Sequence, residues 1–124
     1  MIDVARRIPH TSRPTAPAPA PTAAYGAFIA KSCLGCHGEH LSGGPIPGAP
    51  PSLAVPANIT PHETGMKKYT FEMFEHLLLT GEKPDGKKLD PMMPYEALGK
   101  MNDTEKRALF SYLQSVEPRP FGGR

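Results

Sequence analysis

Apolar positions recur at helical spacing in three stretches of the chain and nowhere settle into the two-residue alternation of a half-buried strand. In "YTFEMFEHLLLTG", Phe71, Phe74, Leu77 and Leu78 share one face; Thr70 is placed to cap the start and Gly81 to stop the helix in a left-handed conformation. The last element is marked most clearly. Asn102 and Glu105 form a capping-box pair, Ala108, Leu109, Tyr112, Leu113 and Val116 line one side, and Pro118 ends the run. Earlier, "AAYGAFIAKSCLGCH" combines alanines, Phe28 and Ile29 without a proline, which predicts a helix over about 23–35. Between these lie two stretches too rich in proline and glycine for long elements, residues 38–61 and "EKPDGKKLDPMMPYEAL". The pattern predicts an all-α fold of three or more short helices joined by long loops, with no internal repeat.

Composition changes this picture in two ways. A chain of 124 residues is one domain by length, yet with 39% hydrophobic residues and no tryptophan its core material is modest. Its 16 prolines and 12 glycines agree with long irregular connections, and a loop as long as 38–61 usually has a task or a large object to wrap. Residues 14–22, "PTAPAPAPT", read as an extended polyproline spacer, so the chain divides into a Pro/Ala-rich arm, 1–22, and a domain, 23–124. Charge adds little. A net charge of +2 gives no case for nucleic acid or an anionic membrane, and no apolar run is long enough to span a bilayer. The start, "MIDVARRIPH", lacks the apolar stretch of an export signal, so a protein working outside the cytoplasm would need an export segment or anchor upstream of it.

The chemistry is concentrated in "CLGCH", residues 33–37, which holds both cysteines of the chain. Two thiols three positions apart, followed at once by histidine, match the attachment site of a c-type haem: the thiols add to the vinyl groups and the imidazole ligates iron. Random placement produces this arrangement only about once in 1500 chains of this composition. A zinc site could recruit Cys33 and Cys36 with His37, His40, His62 or His76, but no second pair stands at ligand spacing. A thioredoxin-like dithiol needs a βαβ unit that the pattern does not contain. Two inert buried cysteines would leave the adjoining histidine unexplained. A haem also supplies the missing core volume and the object for the loops to wrap.

Such an iron takes a second axial ligand. Among the six methionines, Met1 is terminal, Met73 falls inside a helix where packing is expected, and Met66 and Met101 border helices. Met92 and Met93 differ, because Pro91 and Pro94 hold them in a rigid extended loop from which a thioether can project; one of the two is free to be a gap filler.

With "CLGCHGEHLSGG", "ANITPHETGMKKYTFEMFEHLLLTGEKPDGKKL" and "MMPYEALGKMNDTEKRALFSYLQSV" together, residues 24–117 resemble the small monohaem class I cytochromes c. The resemblance is to the bacterial type found as stand-alone or membrane-anchored domains beside periplasmic dehydrogenases and respiratory or photosynthetic complexes. It implies the class I cytochrome c fold around one haem c, covalent through Cys33 and Cys36, with His37 as one ligand. The family's Met-Pro-aromatic motif then selects Met93, followed by Pro94 and Tyr95, over Met92. It also implies that Asn58 and Thr60 lie near the haem propionates, although both residues suit a turn equally well. Gly26 and Tyr112 fall where the first and last helices cross closely.

Other residues complete the expectation. The ring N–H of His37 needs an acceptor, expected among the backbone carbonyls of 45–51. His10, His40, His62 and His76 are expected at the surface, and Lys67, Lys68, Lys83, Lys87 and Lys88 make the middle basic, a solvated face that could aid docking to an acidic partner. With both axial positions filled, iron can only change oxidation state. The chain is therefore expected to be a one-electron carrier between periplasmic or membrane-bound redox partners, not an enzyme, with the arm either a tether to an anchor or larger complex or an ordered tail packed on its own domain or a neighbouring molecule. The rival readings are a haem sensor with a labile methionine and a zinc-binding interaction module.

Overall fold

The structure, a computed structural model, describes residues 17–124; most of the Pro/Ala-rich arm, with His10 and Met1, lies outside the described residues. The first described helix starts where the proline spacing ends. Thr22 accepts a hydrogen bond from Tyr25 N on its Oγ1 and caps helix α1, Ala23–Ile29. A 3₁₀ turn, Ala30–Cys33, and the short helix α2, Leu34–His37, continue almost without a break. The helical path expected over 23–35 is present and runs two residues further, to His37.

The next helix, α3, spans Phe71–Thr80. Thr70 Oγ1 accepts from Met73 N at 3.2 Å, and Gly81, at φ 74°, ends it in the left-handed region. The final helix, α5, spans Asp103–Ser115 and opens with the full capping box: Glu105 N to Asn102 Oδ1 at 2.8 Å and Asn102 N to Glu105 Oε1 at 2.9 Å. Between them is a helix the apolar pattern does not predict, α4, Tyr95–Gly99. The described residues contain no strand, only an isolated bridge between Glu82 and Lys88.

The core joins all these parts. Ala30, Leu41, Met66, Phe74, Leu78, Leu109 and Leu113 are buried together, and Phe110 packs between Phe74 and Phe71 with ring centroids 5.3 and 6.0 Å away. Helices α1 and α5 cross at Gly26. A Cβ there would lie 2.7 Å from Tyr112 Cβ and run into the Ala108 carbonyl, so only glycine permits the approach expected of this pair. One side chain departs from expectation: Met73 is on the solvent side of α3, 41% exposed, because Phe74, Leu77 and Leu78 take the buried face. Lys106 also departs from its residue type. It is buried on α5 with its ammonium 3.9 Å from Glu75 on α3.

The long loop after His37 folds back on itself. Leu41 occupies the left-handed region at φ 63°, a strain of about 1–2 kcal/mol that burial of its side chain offsets. Its carbonyl accepts from Ile59 N at 2.9 Å, and Gly44 N donates to Pro56 O at 3.0 Å. These two bonds lay residues 56–59 along the turn that follows the cysteines.

Candidate haem site

The helical run through residues 30–37 decides where the thiols stand. Cys33 and Cys36 are three positions apart, so they fall on one side of that run, and both are free. Cys33 is half-buried, and burial pushes its thiol up from the ordinary cysteine range; Cys36 is exposed.

His37 follows directly and is only 6% exposed. Its Nδ1 lies 2.7 Å from the Ala57 carbonyl. A carbonyl can only accept, so the ring proton is on Nδ1 and the lone pair on Nε2. Burial, the first cause, and the Arg124 charge lower the pKa of the ring, while the Ala57 bond works against them, and the imidazole is neutral at pH 7. The acceptor corrects the expectation that placed it within 45–51. The loop pairing described above brings Ala57, not that stretch, alongside the ring, and the Gly44 and Pro45 carbonyls are taken by Arg124. Two free thiols on one side of a helical run beside a neutral imidazole with an open Nε2 are the donors a covalent haem requires. No three or more His, Cys, Asp or Glu side chains converge to hold a metal among the described residues, which leaves a zinc site short of ligands.

The two loop methionines separate by environment. Met92 N donates to Asp90 Oδ1 at 2.9 Å and Met93 N to Asp90 O at 2.9 Å, a tight turn that leaves the Met92 side chain 54% exposed and Met93 partly covered. Tyr95 N closes the turn on Met93 O at 2.7 Å, and the Tyr95 ring lies flat on Gly81, where a Cβ would come within 2.7 Å of its Cε2.

Asn58 and Thr60 are buried and bonded to the protein. Asn58 Nδ2 donates to Thr64 Oγ1 at 2.9 Å and to Arg119 O at 2.7 Å, while its Oδ1 accepts from Thr60 N and Thr60 Oγ1. Thr60 Oγ1 also accepts from Arg119 N at 3.2 Å. A propionate contact from Asn58 would therefore have to replace one of these bonds. Of the other histidines, His40 is exposed, His62 accepts from Thr64 N at its own turn, and His76 meets Glu82 at 3.1 Å on the surface. Among the lysines, Lys67 pairs with Glu63 at 3.7 Å and Lys88 Nζ donates to Thr80 O.

Sequence reasoning missed the tail. Residues 119–124 return across the site: Phe121 N donates to Thr64 Oγ1, Gly122 N to Ser42 O, and Arg124 Nη1 reaches the Gly44, Cys36 and Pro45 carbonyls. "RPFGGR" has no apolar period, and only the glycines at 38 and 44, flat against it, hint at a covering segment.

Comparison with known proteins agrees with this geometry. Residues 22–117 match the sequence model of the cytochrome c family. The chain is 35% identical over 120 residues to the fructose dehydrogenase cytochrome subunit of Gluconobacter japonicus, a match covering 86% of this chain and 25% of that one. It is 34% identical over 101 residues to the cytochrome c subunit of the quinone alcohol dehydrogenase of Gluconacetobacter polyoxogenes, covering 75% and 22%. With the gluconate 2-dehydrogenase cytochrome c subunit of Pantoea cypripedii it shares 30% over 101 residues, covering 75% and 23%. The chain thus spans a quarter or less of the length of these relatives.

Proposed function

The chain belongs to the cytochrome c family, and from that premise we propose that it is a one-electron carrier ligating haem iron through His37 and Met93 and serving a dehydrogenase. The observation that carries the reading is the His37 ring: buried, neutral, fixed by Ala57 through Nδ1, and one residue beyond two free thiols. When bound, the haem c supplies reversible Fe(II)/Fe(III) chemistry. The protein supplies the rest. Cys33 and Cys36 hold the group covalently, and the Ala57 carbonyl fixes the tautomer and direction of His37. Met93 offers a thioether from a loop stiffened by prolines, and a thioether favours the ferrous state. Asn58 and Thr60 shape the neighbouring turn near the propionates, and Tyr95, seated on Gly81, anchors the ligand loop.

A dehydrogenase partner is supported by the relatives, whose names are those of cytochrome subunits of fructose, alcohol and gluconate dehydrogenases. We place this chain on the periplasmic side, accepting electrons from a dehydrogenase that oxidises a small organic substrate and passing them to a membrane-bound chain. No helix among the described residues is long and apolar enough to cross a membrane. The basic stretch Lys83–Lys88 suits an acidic docking surface.

The test is the state of the haem. Protein matured in a host with haem-attachment machinery should keep its haem on a denaturing gel, and a variant with both Cys33→Ser and Cys36→Ser should not. Carbon monoxide added to the reduced protein should leave its spectrum unchanged on the time scale of mixing. Haem extracted by acidic organic solvent from the unmodified protein would end the covalent reading. Rapid carbon monoxide binding would end the two-ligand reading.

A further inference from the structure

The segment that crosses the site carries a cation held by several carbonyls. The Arg124 guanidinium donates through Nη1 to Gly44 O at 2.8 Å, with Cys36 O at 3.3 Å and Pro45 O at 3.5 Å. These carbonyls belong to the second cysteine and to the turn that follows His37. Two glycines make the approach possible. Gly38, directly after His37, would carry a Cβ 2.8 Å from Arg124 Cα, and Gly44 would carry one 2.8 Å from Gly122 Cα. Both have positive φ, 89° and 107°. The tail is tied again upstream, through Arg119 to Asn58 and Thr60 and through Phe121 to Thr64. The guanidinium is thus held at one end by carbonyl dipoles and at the other by a strap.

Resting on the haem reading above, we propose that Arg124 is a positioning residue for the redox centre: it closes the attachment turn over His37 and holds a fixed positive charge beside that imidazole. The charge stands next to the ligand's own backbone, since Arg124 Nη1 is 3.3 Å from the carbonyl of the Cys36–His37 peptide and the Arg124 Cα packs on Gly38. Iron gains an electron on reduction, so a nearby cation stabilises the ferrous state relative to the ferric. Arg124 is partly buried, and its charge is screened less than that of a free surface arginine. No group acquires or loses a proton in this account, because a guanidinium stays charged throughout the working range.

The experiment uses the full haem-loaded chain with Arg124→Gln and Arg124→Lys, measuring the reduction equilibrium against a mediator of known potential and the thermal midpoint. The Gln variant should shift the equilibrium toward the ferric form by a few fold, the scale of one partly screened charge. The Lys variant should retain most of the original equilibrium while losing the multi-carbonyl clasp, so both variants melt earlier than the parent. Equal equilibria in all three proteins would overturn the proposal and leave Arg124 a purely structural tie. Equal shifts in Lys and Gln would overturn it too, since charge would not be the cause. The haem reading is judged separately: the parent's retained haem on a denaturing gel upholds it, and haem lost there ends both.

Discussion

Met92 and Met93 are chemically identical neighbours, and their surroundings distinguish them. Met92 is 54% exposed with its backbone fixed by Asp90, whereas Met93 is partly covered and precedes Pro94. Met93→Ala should abolish the weak sulfur-to-iron charge-transfer band of the ferric protein and lower its potential, because a thioether favours Fe(II). Met92→Ala should keep the band and change stability by less than about 0.5 kcal/mol. The reverse result would move the ligand to Met92 and leave the haem assignment intact. Tyr69 offers a test by pH. Burial, and secondly the Asp85 carboxylate, raise its pKa above the ordinary 10.0. The unfolded chain then loses this proton first, so the stabilisation is full below about pH 10 and fades as pH rises through the folded value. Denaturant midpoints followed from pH 8 to 11 should fall less steeply in Tyr69→Phe than in the parent. At this scale the attachment site was legible, because "CLGCH" states its chemistry in five residues. The partner of His37 was not, because which carbonyl meets the ring depends on how residues 41 and 44 pair with 56–59.

Helices are legible when their ends and faces are both written locally. Thr70, Gly81 and the Asn102–Glu105 box set the limits of α3 and α5, and the buried faces follow the apolar spacing. Helix α4 carries no such marks. It has five residues, no side-chain cap and no buried residue, and it exists by packing on α3, where Gly99 lies against the Leu78 carbonyl and Tyr95 against Gly81. The strap is illegible for a related reason: its bonds join 119–124 to turns some 60 to 90 positions earlier, and no local pattern encodes that. The crossing of α1 and α5 is a third kind of contact, visible only as one glycine. Gly26→Val should lower stability by about 3 kcal/mol or more, since the obstruction is the Ala108 backbone and the Tyr112 Cβ, neither able to rotate away. Chemical denaturation of the haem-loaded protein measures this. A loss under about 1 kcal/mol would mean that the two helices separate without cost, and that the crossing does not hold the domain together.

For the molecule as a whole, the apolar side chains buried together come mainly from α3, α5 and Ala30, with Leu41 and Met66 from the loops. That is a small core for a domain with so much loop, and a covalently held porphyrin adds apolar surface that the side chains lack. The family match begins at residue 22, and Thr22 caps α1; we propose that the folded domain starts there, with the proline-rich arm as an addition to it. Proline and alanine lose little conformational entropy when an extended segment docks, which suits such an arm to a fixed path along a partner or toward an anchor. We propose that it raises the local concentration of the haem domain at its dehydrogenase. Removal of residues 1–16 retains Thr22 and its bond to Tyr25, so the visible spectrum should be unchanged and the thermal midpoint should move by less than about 2 °C. Reduction by the partner dehydrogenase at sub-micromolar protein should slow by about tenfold or more, and raising the protein concentration should restore the rate, as effective concentration requires. A truncated chain reduced as fast as the parent at every concentration would remove the tether, and one that melts well below the parent would make the arm part of the folded domain.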